Sequence, residues 1–297
     1  MKVAVTGGTG FVGKAIVDEL LRAGYKVRIL SRRIPDKSPE GTVHIPGSVV
    51  TGEGLETFVD NVDAVVHLVG IIREAGENTF KAVHHDGTVN ILLAASRAGV
   101  KRYVHMSALG TRENAVSNYH KTKFAGEEAV RASGLPWTIF RPSTIFGPGD
   151  SFINMLAQMM RRSPVIPVMG GGKGLMQPVY VEDVATAFRT ALESETHVGK
   201  TYELGGADTL SLMQIMKKVA QQIDKKPFFI SFPSPIVAPV LKLAQALKIQ
   251  LPITTEQLIM LGENNIRTGG DPVEALGIEW TGFEEGIKKY LVSGSSV

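Results

Sequence analysis

The chain has 297 residues, 43% apolar and 21% charged, a composition ordinary for a folded globular protein. Lysine and arginine exceed the acids by 32 − 29 = +3, too little to argue for nucleic-acid binding. Cysteine is absent, which excludes disulfides, thiolate catalysis and cysteine-based metal sites. The first strand-like run begins at Lys2 and leaves no room for a signal peptide, and no run of about 18 uncharged apolar residues occurs. A soluble protein is therefore expected. The lack of cysteine leaves the compartment open but fits a reducing cytoplasm, so the expected location is cytoplasmic, free or peripheral to the membrane.

Lys2-Val3-Ala4-Val5 is an apolar run that breaks into Thr6-Gly7-Gly8-Thr9-Gly10-Phe11-Val12-Gly13, and a helical pattern follows from about Phe11 to Ala23. Gly7, Gly10 and Gly13 stand three apart between strand and helix. One serves a tight turn, one lets the backbone approach a pyrophosphate, and one allows close helix–strand packing. The free N–H groups and positive dipole end of the helix then face an anion. This expectation places cofactor contacts at Gly7, Thr9, Gly10, Phe11, Val12 and Gly13.

The second strand, near Val27–Leu30, ends in Ser31-Arg32-Arg33, about 20 residues beyond the glycines, with no acid before Asp36. An acid at this position binds the ribose 2′-hydroxyl of NAD, and arginine accommodates the 2′-phosphate of NADP. Two guanidiniums and a hydroxyl suit a phosphate monoester, so NADP is expected over NAD.

Further strands are expected at Asp63–Val69, Arg102–Met106 and Trp137–Phe140, with helices near Thr79–Ala98 and Ser117–Ser133. This alternation predicts an α/β fold with a doubly wound parallel sheet. After Arg141-Pro142 the rhythm changes, with Pro148, Pro164, Pro167 and Gly170-Gly171-Gly172 punctuating shorter elements. The expected division is a cofactor-binding core over residues 1–145. Residues 146–297 then supply the remaining core elements, interleaved with a small substrate-side lobe.

Tyr119-His120-Lys121-Thr122-Lys123 holds Tyr-x-x-x-Lys inside a helical pattern, and a spacing of four puts both side chains on one helix face. A phenol is normally too weak an acid to exchange protons near neutrality. A nearby ammonium favours the phenolate and can also bind ribose hydroxyls.

Together these residues resemble the short-chain dehydrogenase/reductase superfamily, in its extended and atypical branches. The likeness runs through Asp63-Ala64-Val65-Val66-His67-Leu68-Val69-Gly70, Gly87-Thr88-Val89-Asn90, Arg141-Pro142-Ser143, Phe146-Gly147-Pro148-Gly149-Asp150 and Pro178-Val179-Tyr180-Val181-Glu182-Asp183-Val184. The stretches Val69–Glu74, His105–Gly110 and Gln177–Tyr180 look most like the atypical group that contains the Rossmann-type accessory subunit of respiratory complex I and its bacterial relatives. Those relatives are described as NAD-dependent epimerase/dehydratases. The resemblance implies a Rossmann-type fold, further cofactor contacts at Leu68, Val69, Gly70 and Pro142, and a catalytic set of Tyr119, Lys123 and Ser107. Tyr119 would be the acid/base, Lys123 would hold the nicotinamide ribose and tune Tyr119, and Ser107 would polarise a carbonyl or hydroxyl.

The chain departs from the enzyme pattern in several places. The paired hydroxyls after the fifth strand read Ser107-Ala108, so either Ser107 acts in a shifted register or the polarising hydroxyl is missing. The asparagine near the sugar falls at about Thr144, the diphosphate-binding arginine at about Met176, and the Gly-Asp contact to adenine reads Gly47-Ser48. A nucleotide-sugar substrate is disfavoured. His84-His85 and His120 lie on polar stretches without carboxylates at ligand spacing and read as surface histidines, so no metal site is expected. Lys101-Arg102 and Arg161-Arg162 read as solvated element ends.

Within Pro235–Gln250, Ile236, Val240, Leu243, Ala244 and Leu247 form one helical stripe, preceded by Phe228, Phe229, Ile230 and Phe232. The stripe is either ordinary core or, over 228–251, a wall for an apolar substrate, a membrane-surface contact or a redox-complex interface. The leading expectation is an NADP(H)-dependent oxidoreductase acting on a quinone-, isoprenoid- or lipid-like substrate. A nucleotide-locked scaffold or assembly factor for a redox complex is the alternative from another class, and a nucleotide-sugar epimerase or dehydratase is the third.

Overall fold

The structure, a computed structural model, describes residues 1–232 and 254–291. Its chain divides into two units, one of residues 1–142, 181–204 and 269–279, the other of residues 143–180, 205–268 and 280–297.

In the first unit seven strands form one parallel sheet: β1 (Lys2–Thr6), β2 (Lys26–Ser31), β3 (Thr42–Pro46), β4 (Ala64–His67), β5 (Arg102–Met106), β6 (Trp137–Pro142) and β11 (Lys200–Leu204). Their spatial order is β11-β6-β5-β4-β1-β2-β3. Residues Val3–Thr6 of β1 and all of β4 are buried, as expected of strands covered on both faces. Helices α1 (Phe11–Arg22) and α6 (Val181–Glu193) pack together on one face. Helices α2 (Leu55–Val59), α3 (Gly87–Arg97) and α4 (Asn118–Ala132) enclose the cluster around Phe58, Val65, Ile91, Tyr103 and Ile139 on the other. The chain leaves β1 in one direction for β2 and returns on the opposite side for β4. The carboxyl ends of β1 and β4 therefore meet at a switch point, where open α/β sheets bind ligands.

The strands and helices expected in this half are found; the short helix α2 is not among them, and three further differences appear. Thr42–Pro46 is a strand that the apolar pattern did not show, because at the sheet edge Val43 and Pro46 stay exposed. The helix expected over Thr79–Ala98 begins with a π-helical turn at Lys81–Asp86 before α3. Arg102 is buried rather than solvated, and its guanidinium donates to the Ala191 and Ser194 carbonyls at the end of α6.

The first unit also takes in the short helix α9 (Val273–Leu276). The second holds α5 (Phe152–Arg162), α7 (Leu212–Gln222), α8 (Thr255–Gly262) and α10 (Phe283–Lys288). Its strands pair two by two, β7 (Ile145–Phe146) with β10 (Val179–Tyr180), β9 (Leu175–Met176) with β12 (Leu210–Ser211), and β8 (Val165–Met169) with β13 (Phe228–Phe232). Its core gathers Phe146, Ile153, Leu156, Ile166, Tyr180, Ile215 and Phe283. The stripe within Pro235–Gln250 lies outside the described residues.

Candidate functional site

Because the large sheet is parallel, the residues singled out in the sequence leave their strands at one edge. Thr6 leads into the glycine turn, His67 into Leu68-Val69-Gly70, and Met106 into Ser107, while Pro142 ends β6. In the turn, Gly7 takes φ 74°, the left-handed region that glycine adopts without strain, and its carbonyl accepts from the Gly10 N–H at 3.0 Å. Gly7 is set against Leu68 and Val69, within 3.3 Å of a would-be Cβ. A Cβ on Gly13 would come within 2.1 Å of the Gly7 carbonyl oxygen, so only glycine lets α1 pack this close to the turn. A Cβ on Gly10 would instead meet the Gly7 oxygen alone, at 3.3 Å, in otherwise open space. Helix α1 starts there with no side-chain cap and no acid in its first turn, which leaves its first N–H groups for an anion.

At the end of β2, Ser31 is buried and its hydroxyl pairs with His44 Nδ1 at 3.1 Å. Arg32 and Arg33 beside it are exposed, with no hydrogen bond or ion pair among the described residues. The glycine cradle and the uncapped helix end fit the pyrophosphate of a dinucleotide, and the two guanidiniums after Ser31 are unengaged among the described residues.

Ser117 caps α4, accepting from the His120 N–H, and so sets the phase that carries Tyr119 and Lys123. Lys123 is buried, and its ammonium donates to the Met106 carbonyl at 2.9 Å. Gly70 lies directly over it, since a Cβ there would stand 3.1 Å from Lys123 Nζ. Burial draws the Lys123 pKa down to about 8, against the opposing pull of the Glu127 carboxylate. The Tyr119 ring meets Phe80, His84 and His120 edge-on, with centroids 6.0, 5.2 and 5.2 Å away, and burial pushes its phenol up to about 12. Ser107, 3% exposed, has its hydroxyl engaged by Glu127 and by Thr111 Oγ1 at 3.4 Å.

His84 and His120, read from the sequence as surface residues, are instead buried. The π-helical turn and Gly126, whose Cβ would lie 2.4 Å from the His84 carbonyl oxygen, bring the two backbones together. His84 Nε2 accepts from the Ile71 N–H at 3.0 Å, which leaves Nδ1 to donate to Thr122 Oγ1, also at 3.0 Å. Thr122 in turn donates to the Asn118 and Tyr119 carbonyls at 2.8 and 3.0 Å. His84 thus ties the loop after β4 to the turn that bears Tyr119, a role that a sequence pattern cannot reveal. His67, fully buried, bridges Thr6 Oγ1 at 2.7 Å and Thr88 Oγ1 at 3.1 Å, and the Thr88 hydroxyl donates to the His84 carbonyl at 2.8 Å. Among the described residues no group of three or more histidines and acids could hold a metal ion.

Burial, with Lys123 nearby, lowers the pKa of His67 to about 3 and of His84 to about 2. The unfolded chain binds protons at these histidines below about pH 6.5 and the folded chain does not. Stability is therefore fully present above that value and falls as pH drops toward 3, by about 1.4 kcal/mol per pH unit for each buried histidine. Urea unfolding midpoints measured between pH 7 and pH 4 test this, and a flat profile would contradict it.

A family model described as "NAD dependent epimerase/dehydratase family" matches residues 3–205. The mitochondrial "NADH dehydrogenase (ubiquinone) 1 alpha subcomplex subunit 9" of Arabidopsis thaliana is 30% identical over 280 residues, covering 89% of this chain and 69% of that protein. A "Ceramide reductase" of Caulobacter vibrioides is 34% identical over 239 residues, covering 78% and 74%. Among solved structures, MoeE5 in complex with UDP-glucuronic acid and NAD shares the fold at TM-score 0.77 and 22% identity, covering 98% of each chain. So does the dTDP-glucose 4,6-dehydratase DesIV from Streptomyces venezuelae, at TM-score 0.76 and 20% identity, covering 98% of this chain and 96% of that one. With its glycine turn at the switch point and its Tyr-x-x-x-Lys helix, the chain belongs to the NAD dependent epimerase/dehydratase family.

Proposed function

We propose that this protein is an NADP(H)-dependent reductase of an apolar carbonyl compound, with Tyr119 as proton donor, Lys123 as ribose-binding cation and Ser107 as a supporting hydroxyl. The observation that carries the reading is Lys123, buried between Gly70 and the Met106 carbonyl at the end of β5, with Tyr119 one turn earlier on the same helix. Gly7, Thr9, Gly10, Phe11, Val12 and Gly13 would hold the pyrophosphate side, Arg32 and Arg33 the 2′-phosphate, and Leu68, Val69, Gly70 and Pro142 the nicotinamide side. A nicotinamide bound there supplies a hydride to the substrate carbon. Tyr119 gives its phenolic proton to the carbonyl oxygen, which leaves an alcohol. Burial pushes the phenol up to about 12, so Tyr119 carries its proton at neutral pH before the substrate binds.

The apolar substrate is supported by the composition of 228–251 and by the absence of the family's sugar contacts. Met176, where a diphosphate-binding arginine would stand, is buried in the apolar core of its own unit. One relative is named for a lipid substrate, ceramide. The second reading, a nucleotide-bound scaffold for a redox complex, is favoured by Ala108 and by the engagement of the Ser107 hydroxyl with Glu127. Relatives named as complex I subunits accord with it. Contact with such a complex through 228–251 belongs to that reading.

Charge-assisted hydrogen bonds contribute about 1.5–3 kcal/mol, so NADPH is expected to bind roughly ten- to a hundredfold more tightly than NADH. Arg32→Ala with Arg33→Ala removes most of that difference. Titration calorimetry is the measurement, and equal affinities in the unmodified protein would rule out the NADP assignment.

A further inference from the structure

The second unit carries an exposed surface at Val165–Met169 and Phe228–Phe232, apart from the residues named for hydride and proton transfer. Among the described residues, strands β8 (Val165–Met169) and β13 (Phe228–Phe232) pair only with each other, in parallel, with Phe228 opposite Val165 and Ile230 opposite Pro167. Alternate residues of a strand face opposite sides. Ile166, Val168 and Phe229 turn inward onto the core of this unit. Val165, Pro167, Phe228, Ile230 and Phe232 make up the opposite, exposed face. A solvated sheet face ordinarily carries polar side chains, and Phe228 here is 76% exposed. Five adjacent exposed apolar side chains mark an interaction surface rather than scattered surface hydrophobes.

Charge at the start of the ribbon identifies its partner. Arg161-Arg162 lie two residues before β8 and Lys225-Lys226 one residue before β13, and all four line one depression with the intervening Ser163, Pro164 and Pro227. Asp224 is the acid adjoining them. The sequence that continues from Phe232, residues 233–253, contains two lysines and no acid. Phenylalanine and isoleucine beside a cluster of cations match the boundary of an anionic bilayer, where apolar side chains enter the acyl region and lysines meet the headgroups.

We infer that the outer face of the β8–β13 ribbon, with Arg162, Lys225 and Lys226 at its rim, docks this protein on an anionic lipid surface. Other occupants have distinguishable signatures: a second copy of the chain, a neutral apolar partner, or the 233–253 segment folded back over the face. The contact is peripheral, and among the described residues no helix is long and apolar enough to cross a membrane. This inference does not depend on the proposed reduction, because its test reads vesicle binding and not turnover.

The test is co-sedimentation of the full chain with phosphatidylcholine vesicles, with and without phosphatidylglycerol. Binding is expected only to the anionic vesicles and should weaken as salt rises. Each Lys→Ala change at Lys225 and Lys226 should lower the partition coefficient roughly fivefold. Phe228→Ser with Phe232→Ser should lower it at least tenfold, with melting temperature and nucleotide affinity unchanged because these side chains are exposed. Equal binding to neutral vesicles, or none to either, would overturn the inference. Indifference of vesicle binding to the Phe228 and Phe232 changes would do the same and would favour the 233–253 segment as the cover. A concentration-dependent dimer dispersed by Phe228→Ser would replace the membrane with a second copy.

Discussion

Tyr119→Phe is expected to lower reductive turnover about 10²–10⁴-fold while leaving NADPH affinity and folding unchanged. The ring stays because its edge-on contacts with Phe80, His84 and His120 involve no hydroxyl, so the substitution removes the phenolic hydroxyl alone. Lys123 also remains in place, since it is held by the Met106 carbonyl rather than by Tyr119. The expected pattern is a loss in kcat with KM nearly constant, because the proton moves only in the transition state. The same substitution separates enzyme from scaffold. If a deletion strain is fully rescued by the Tyr119→Phe protein, catalysis is not what the cell requires and the scaffold reading stands. A turnover deficit restored only by the tyrosine form establishes the reductase.

What could be read from the sequence was whatever is encoded locally. The glycine turn, the buried runs of β1, β4 and β5, and the Ser117-capped helix each carry their own signal in spacing or composition. The unreadable features depend on partners distant in the chain. Glu127 looks like an ordinary helix acid and becomes a buried anion only because Arg141 arrives from β6. His84 looks like a surface residue in a polar stretch, and is buried because a π-helical turn and Gly126 let two backbones approach. Strand β3 is short and half exposed at the sheet edge, so its alternation is too weak to register. The expectation that Lys123 would ease Tyr119 toward its phenolate treated helical spacing as sufficient. The phenol responds instead to burial, while the ammonium donates to a backbone carbonyl.

Glu127→Ala is expected to destabilise the protein by about 3–5 kcal/mol, the cost of breaking a buried ion pair by removing one partner. The carboxylate is fully buried and is held by Arg141 through two bonds of 2.8 and 2.6 Å, and by Arg131 at 2.7 Å. The Ser107 hydroxyl completes the cluster. Removing the anion takes from Arg141 both of its carboxylate bonds, leaves Arg131 with Glu128, and loosens the junction of α4 with the ends of β5 and β6. Burial alone would raise the Glu127 pKa, but the bonds from Arg141, Ser107 and Arg131 outweigh it and hold the carboxyl below its ordinary value. Its stabilisation is therefore present above about pH 4.5 and is lost as pH falls through the folded value. Glu127→Gln keeps the shape, removes the charge, and should flatten that acidic limb of the stability profile. It should also act one turn away, because the Glu127 charge is what holds the Lys123 pKa up as far as about 8. Without it Lys123 becomes partly neutral near neutrality, and the limb of the pH–rate profile that reports the ammonium shifts downward. A stability loss with an unmoved pH–rate profile would confine Glu127 to structure, whereas movement of both would show that the cluster behind the site tunes the lysine within it.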